Sequence, residues 1–228
     1  MSLGKIPQII HLICADREPP SKYSFFIDKI RSLHPSWKIN IWDDDLALRV
    51  VHESFRELEE MYISYPMPIQ RADIFRVMIT YLLGGFYMDM DMLCFKKLDE
   101  LCKYEMVLGV EKTLSRNECL LLNHKHEVRI ANYMFGSVPR HNFWLEFLDA
   151  AKARSNNMIQ SESDILETTG PGLLTVIFHE LRNKYENITL LPNDNNPCLK
   201  SCGTASCHFG DFAAHLHVGS WRWKPTPA

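Results

Sequence analysis

The segment 84–94 reads Gly-Gly-Phe-Tyr-Met-Asp-Met-Asp-Met-Leu-Cys and sets two carboxylates, Asp89 and Asp91, two residues apart in an otherwise apolar run. If residues 86–92 form a strand, side chains alternate between its faces and both aspartates point the same way. Burying two neighbouring carboxylates without a positive partner is costly. The segment therefore predicts a divalent cation, Mn²⁺ or Mg²⁺, that carries a phosphorylated ligand.

Hydrophobic periodicity on both sides of this segment predicts alternating strands and helices. Strands are predicted at 6–14, 37–42, 86–92, 106–110, 129–134 and 188–191. Helices are predicted at 22–33, 46–62 (as one or two), 69–83, 141–153 and 173–184. The alternation indicates the α/β class, with a central sheet flanked by helices. Because no repeat or boundary is visible, residues 1–228 are expected to form one domain.

Composition excludes several classes of protein. The chain has 228 residues, 46% of them hydrophobic, and a net charge of −3, so no basic field favours nucleic acid. No transmembrane segment and no signal peptide are predicted. Seven irregularly spaced cysteines favour reduced thiols and a cytoplasmic location, although a luminal domain cut from its anchor has a similar composition.

The predicted helix before the aspartates carries a second charged pair, Asp73 and Arg76, within Arg71-Ala-Asp-Ile-Phe-Arg76. Three residues apart, the two side chains share one face of a helix. They form either a weak surface ion pair or part of the cleft into which the helix leads. In a cleft, the arginine suits phosphate and the aspartate suits sugar hydroxyls.

Two motifs, Gln70-Arg-Ala-Asp-Ile-Phe-Arg76 and Tyr81-Leu-Leu-Gly-Gly-Phe-Tyr-Met-Asp-Met-Asp91, resemble the signature of glycosyltransferase family 32. This family includes capsular-polysaccharide transferases and yeast-type mannosyltransferases, and it is related to the glucosylating clostridial toxins. Similar segments follow the family's order over almost the whole chain, at 6–12, 35–44, 169–171 and 215–221. The resemblance implies a GT-A type nucleotide-sugar-binding fold with a mixed central sheet, a divalent metal and retention at the anomeric carbon.

The resemblance also implies roles for individual residues. Asp91 is expected to ligate the metal directly, while Asp89 reaches mainly the donor. The residues implied to act in catalysis are Asp73, Arg76 and Asp89. Those implied to bind the donor are Ile10, His11, Leu12, Asp73, Arg76, Tyr87, Asp89, Ser220 and Trp221. The implied metal ligands are Asp91 and Asp89 with one of two late histidines, His215 or, in reserve, His217.

The chain departs from the family pattern at two positions. Cys14 stands where the family usually has a tryptophan that stacks on the base, so the choice between a uridine-linked and a guanosine-linked donor stays open. His217 stands where the family often has an aromatic residue, so it is a second candidate for the metal-ligand role implied for His215. A separate group near the end, Cys198, Cys202, Cys207 and His208, has four residues of the types that bind structural zinc, but its spacing is unfamiliar and free thiols are the alternative.

These features predict a retaining glycosyltransferase that moves a sugar from a UDP- or GDP-linked donor to a hydroxyl of a glycan, capsular polysaccharide or lipid-linked glycan. A lipid-linked acceptor places the enzyme at the inner face of the membrane. Two alternatives remain open. A metal-dependent phosphohydrolase requires further acidic ligands, and a non-catalytic carbohydrate-binding protein uses the tryptophan-rich tail as a platform for sugars.

Overall fold

The computed structural model describes residues 6–121, 124–192 and 207–218. Its strands are β1 Ile9–Ile13, β2 Lys38–Trp42, β3 Gly85–Met88, β4 Met92–Cys94, β5 Met106–Thr113, β6 Val128–Ser137, β7 Ile188–Leu191, β8 His208–Phe209 and β9 Ala213–His215. Its helices are α1 Ser24–Leu33, α2 Asp44–Ser54, α3 Glu59–Ser64, α4 Pro68–Leu83, α5 Arg116–Leu121, α6 Phe143–Arg154, α7 Glu162–Thr168 and α8 Pro171–Leu181.

The central sheet has six strands in the order β2-β1-β3-β6-β5-β7. Strand β1 is parallel to β2 and β3, and β7 is parallel to β5, whereas β6 is antiparallel to both β3 and β5. The predicted mixed α/β sheet is therefore confirmed. A second, antiparallel sheet of three short strands has the order β4-β9-β8.

Each face of the central sheet covers its own apolar core, because successive side chains of a strand point to opposite faces. Tyr87 and Leu108 belong to the core that contains much of α2, α4, α6 and α8. Phe86 and Val107 belong to the core that contains α1 and the small sheet. The central strands are thus covered on both sides, which explains why they are almost wholly apolar.

The corner between α4 and β3 requires its two glycines. Gly84 has a φ of +66° and Gly85 a φ of +95°, both in the left-handed region. A Cβ on Gly84 would lie 2.7 Å from Pro139, and one on Gly85 would lie 2.6 Å from the carbonyl oxygen of Ile9. This tight corner lets β3 leave the helix directly into the centre of the sheet.

The single strand predicted over 86–92 is wrong, because β3 ends at Met88 and β4 begins at Met92. Between them Asp89, Met90 and Asp91 form a turn in which the Met92 N–H donates to the carbonyl of Asp89 at 3.2 Å. The two aspartates converge through this turn and not through strand alternation. The sequence pattern did not indicate the turn between β3 and β4, because both short strands are apolar and largely buried.

Two other predictions concern the described part of the chain. Within it, no helix is long and apolar enough to cross a membrane. The described cysteines are thiols and not disulfides: Cys14, Cys94, Cys102, Cys119 and Cys207.

Candidate active site

A cavity of about 350 Å³ opens where β1 and β3 end, as expected for ligand sites in open α/β sheets. Ile13 borders it at the end of β1, and the turn 89–91 borders it after β3. The polar lining comes from many elements, among them α4, β3, β5, β6, α7 and β9. The polar residues that line it are Tyr23, Asp73, Arg76, Tyr87, Asp89, Asp91, Glu111, Asn132, Tyr133, Glu162, His215 and His217.

Strand pairing brings His215 to the two aspartates. Met92, directly after the turn, pairs with His215 across β4 and β9. The Nε2 of His215 lies 3.1 Å from an Asp91 oxygen and 3.6 Å from an Asp89 oxygen. One ligand atom from each of these three residues lies within 4.8 Å of the others. This is the arrangement that a divalent cation requires.

The electrostatics of this group favour a positive charge. Asp91 is 3% exposed, so its carboxylate is poorly solvated. Burial lowers the pKa of His215, but the hydrogen bond to Asp91 and the charges of Asp89 and Asp91 outweigh burial and raise the pKa above its ordinary value. The buried Nδ1 of His215 has no hydrogen-bond partner among the described residues. Two carboxylates and an imidazole thus fit a divalent metal.

A second charged group adjoins the first through Arg76. Its guanidinium lies 3.1 Å from Asp73 and 3.3 Å from Asp89, and it donates to the carbonyl of Asn132 at 2.7 Å. It also stacks on the ring of Tyr87 at 4.6 Å, and the Tyr87 hydroxyl donates to Asp89. The side chains of Arg76 and Asp73 are 5% and 4% exposed. The alternative of a surface ion pair is therefore wrong.

The carboxylate of Asp73 also accepts hydrogen bonds from two other parts of the chain. Asn132 on β6 donates to one of its oxygens at 3.0 Å, and Thr169, which directly follows α7, donates to the other at 3.1 Å. Burial raises the pKa of Asp73 to about 7, against the opposing effect of the Arg76 charge. The carboxylate consequently has a fixed orientation beside the cavity.

The predicted donor-binding residues of β1 have a different environment. The side chains of Ile10 and Leu12 are fully buried in the core that includes α1, and Ile13 is the β1 residue that borders the cavity. His11 is also buried, with Nε2 at 2.8 Å from the carbonyl of Gly84. Trp42 donates to Nδ1 of His11 at 3.1 Å. Since one ring nitrogen donates and the other accepts, the imidazole is neutral.

Of the remaining predicted residues, His217 lies beside the group of three, with its ring centroid 4.1 Å from that of His215. His217 borders the cavity, but its Nε2 contacts the Cys207 thiol at 2.9 Å, and it is not in the group formed by Asp89, Asp91 and His215. Ser220 and Trp221, like Cys198 and Cys202, lie outside the described residues. Their roles, and the zinc site with Cys207 and His208, stay predictions.

The sequence predictions of site residues missed five polar residues of the cavity: Tyr23, Glu111, Asn132, Tyr133 and Glu162. They also missed Thr169, which donates to Asp73. A usable signal existed for Asn132, an amide with apolar residues on both sides in a largely buried strand. Thr169 was part of a segment that resembles the family, but no role was given to it. Glu111 had no signal, because a glutamate at the end of a strand is normally solvated.

Residues 20–108 match the family model described as a glycosyltransferase sugar-binding region containing a DXD motif. The matched range includes α4 and the turn 89–91, and so it includes Asp73, Arg76, Asp89 and Asp91. The predicted enzyme class, glycosyltransferase, agrees with this family description.

Similar proteins of established name are found in two yeasts. Mannosyl phosphorylinositol ceramide synthase SUR1 of Saccharomyces cerevisiae is 30% identical over 177 residues, which are 78% of this chain and 43% of that protein. Inositol phosphoceramide mannosyltransferase 1 of Schizosaccharomyces pombe is 26% identical over 224 residues, which are 96% of this chain and 63% of that protein. The chain spans about half the length of the curated relatives it matches.

Solved structures share the fold. The PaToxG glycosyltransferase superposes with a TM-score of 0.57 at 17% identity, over 80% of this chain and 74% of that one. The UDP-bound glycosyltransferase domain of the YGT toxin superposes with a TM-score of 0.52 at 10% identity, over 82% of this chain and 80% of that one. The likeness confirms the predicted fold: this chain has a GT-A type glycosyltransferase fold, and its segment 20–108 matches a sugar-binding region with a DXD motif.

Proposed function

We propose that this chain is a metal-dependent, retaining glycosyltransferase whose donor is a sugar linked to a nucleoside diphosphate. The observation that carries the proposal is the convergence of Asp89, Asp91 and His215 within 4.8 Å, beside the buried pair Asp73 and Arg76. In the part of the chain that the structure describes, this is the one such group of three potential ligands. The described residues form no second cluster of potential metal ligands, which a phosphohydrolase with two metal ions would require.

Mn²⁺ is the proposed metal. Carboxylate oxygens suit both Mg²⁺ and Mn²⁺, but Mg²⁺ prefers oxygen ligands alone, and imidazole suits the transition metals. His215 therefore favours Mn²⁺. When bound, the cation supplies Lewis acidity for the charge that develops on the leaving diphosphate.

The donor sugar is proposed to lie against Asp73. Asn132, Thr169 and Arg76 satisfy and orient this carboxylate, so its remaining lone pairs are fixed for the sugar hydroxyls. The nucleoside is proposed to lie towards Ile13 and Tyr23, which border the same cavity. Because the similar yeast proteins are named for mannosyl transfer, mannose is the proposed sugar, and GDP-mannose the first donor to test.

The acceptor is proposed to be a ceramide-based membrane lipid in place of a capsular polysaccharide, because the names of the same relatives specify a ceramide. In the transfer, the acceptor hydroxyl oxygen bonds to the anomeric carbon on the face from which the leaving group departs. The bond from that carbon to the phosphate oxygen breaks, its electron pair stays on the oxygen, and the hydroxyl proton moves to this oxygen. The step needs no enzymic nucleophile.

The test is a thermal-shift screen of GDP-mannose, UDP-glucose and UDP-galactose, each with Mn²⁺, Mg²⁺ or EDTA, followed by a transfer assay. A nucleotide sugar that binds the folded state raises the melting temperature, and the rise should require the metal. Stabilisation by every nucleotide sugar in EDTA would contradict the proposed metal site. Release of free sugar at the same rate with and without any acceptor would favour a hydrolase.

A further inference from the structure

One wall of the cavity belongs to strands β5 and β6, which extend past the metal group. Strand β3 pairs with β6 only over residues 85–88, opposite 134–137. The ladder between β5 and β6 continues to the pair Thr113 and Val128. The two strands therefore project beyond the turn at Asp89, and Glu111 on this projection borders the cavity.

A buried arginine that the proposed transfer does not use holds Glu111 in place. The side chain of Arg129 is 5% exposed, and its Nε lies 3.4 Å from a Glu111 oxygen. The Nη1 of Arg129 lies 3.6 Å from a Glu167 oxygen and 2.8 Å from the Nε2 of His124. Burying a guanidinium is costly unless its partners compensate it. The arrangement fixes the Glu111 carboxylate at the cavity wall.

The position of Glu111 relative to the donor indicates which ligand it can contact. The proposed donor extends from Ile13, across Asp89 and Asp91, to Asp73. The rest of the cavity is bordered by Glu111, Glu162, Leu166 and Pro171. Glu111 borders the same cavity as Asp89, Asp91 and His215. An acceptor that shares the cavity with this donor lies against the lining to which Glu111 belongs.

We propose that Glu111, positioned by Arg129, binds a hydroxyl group of the acceptor, and that the reacting end of the acceptor is a neutral polyol ring, either a sugar or a cyclitol. A carboxylate accepts strong hydrogen bonds from hydroxyl groups and repels phosphate. Leu166 and Pro171 offer apolar surface to the C–H faces of such a ring. This inference rests on the proposed function, because it presupposes a donor in the same cavity.

The experiment separates acceptor binding from donor binding. Wild-type protein, Glu111→Gln and the matched control Glu167→Gln are assayed with Mn²⁺ and GDP-mannose, or UDP-glucose if it stabilises the protein more. Methyl α-D-mannopyranoside and myo-inositol serve as acceptor probes, one in each arm. Three quantities are measured: the KM for the acceptor, kcat, and hydrolysis of the donor without acceptor. Glu167 contacts the same arginine but does not border the cavity.

We expect Glu111→Gln to raise the KM for the acceptor at least tenfold while donor hydrolysis stays within twofold of wild type. Glu167→Gln should leave all three quantities within twofold. Arg129→Lys should raise the acceptor KM with little change in donor hydrolysis, as expected for a positioning residue. If Glu111→Gln fails to fold, Glu111→Asp, which keeps the charge but shortens the reach, should show the same selective rise in KM.

Three results would overturn the inference. An unchanged acceptor KM in Glu111→Gln excludes contact with the acceptor. A parallel loss of donor hydrolysis assigns Glu111 to the donor or the metal. Transfer to neither probe by a wild-type protein that hydrolyses its donor excludes a neutral polyol ring. Absence of donor binding and hydrolysis in the wild type would instead contradict the proposed function itself.

Discussion

Two clusters of aspartates follow β2 and β3, the strands on either side of β1, and have different environments. Asp43-Asp44-Asp45 follows β2, and Asp89-Met90-Asp91 follows β3. Asp43 caps α2 by accepting the N–H of Leu46 at 2.7 Å, and the next two aspartates lie exposed in the first turn of that helix. Helix N-termini favour negative charge, so the first cluster is stable where it stands.

The second cluster has no helix N-terminus to stabilise it. Asp91 is buried, and the pair is surrounded by the guanidinium of Arg76, the hydroxyl of Tyr87 and the imidazole of His215. Residue type and position after a strand are alike in the two clusters. What differs is the set of partners: Asp43 meets a helix N-terminus, whereas the second cluster meets a guanidinium, a hydroxyl and an imidazole. This difference makes the second cluster a candidate for metal chemistry and the first a structural cap.

The largest contrast should come from removing one charge in each cluster. Asp91→Asn should abolish metal-dependent transfer, because the variant loses the buried carboxylate nearest to His215. Asp45→Asn, which removes an exposed charge, should leave transfer within about twofold of wild type, as is usual for surface substitutions. Both are measured as product formed with Mn²⁺. Full activity of Asp91→Asn, or of wild type in excess EDTA, would eliminate the metal role of the second cluster.

A smaller loss is expected when the support of the second cluster is changed. Asp73→Asn keeps the shape but removes the charge that orients Arg76, and transfer should fall by about 10²-fold, because small displacements at a reacting centre have effects of this size. Steady-state kinetics with the donor varied would measure it. A variant with lower melting temperature and unchanged turnover would show that Asp73 serves only the fold.

Strand β1, which lies between β2 and β3, carries a buried histidine whose effect on stability can be measured. His11 on β1 bonds the carbonyl of Gly84 on one side and Trp42, the residue before Asp43, on the other. Burial lowers the pKa of His11 to about 4 from 6.5. Between pH 4 and pH 6.5, His11 therefore binds a proton in the unfolded chain but not in the folded protein.

Stability that depends on His11 is fully present above pH 6.5 and decreases as the pH falls towards 4. The shift corresponds to at most about 3 kcal/mol of unfolding free energy. Urea unfolding of wild type and His11→Gln at several pH values would measure the difference. The two proteins should differ in the slope of stability against pH over this range, and identical slopes would contradict a neutral buried His11.

The smallest effect should come from the cap of the first cluster. Asp43→Ala removes the acceptor for the Leu46 N–H and should cost about 1 kcal/mol of unfolding free energy. A protein of this length would then melt about 2–4 °C lower. Transfer at a temperature well below melting should not change. A large loss of transfer with little loss of stability would place the first cluster in the functional site as well.

Local signals predicted much of the fold. Helix α4 extends from Pro68 to Leu83, and the corner at Gly84 and Gly85 stands where the glycine pair indicated it. The alternation of strands and helices predicted the α/β class. The break between β3 and β4 was missed, because both short strands are buried and apolar, and hydrophobicity alone does not reveal a turn between them.

The site was predicted in part. Asp73, Arg76, Asp89 and Asp91 lie close together in the sequence, and the helix–corner–turn geometry brings them together by local structure. His215 was expected only through resemblance, and Asn132, Thr169 and Glu111 were not expected as site residues. These four come from β6, β5, β9 and the end of α7, and their approach to the site depends on strand pairing and packing over long separations in the sequence.

The sequence by itself determined the α/β class, the α4–β3 corner and the residue types of a metal and sugar site, because periodicity, capping and charge act over a few neighbouring residues. Only the tertiary structure decided which partners each group of carboxylates contacts. Asp43 and Asp91 both follow strands, yet α2 begins at one and β9 delivers His215 to the other. Burial and long-range pairing, which depend on the whole packed chain, made that distinction.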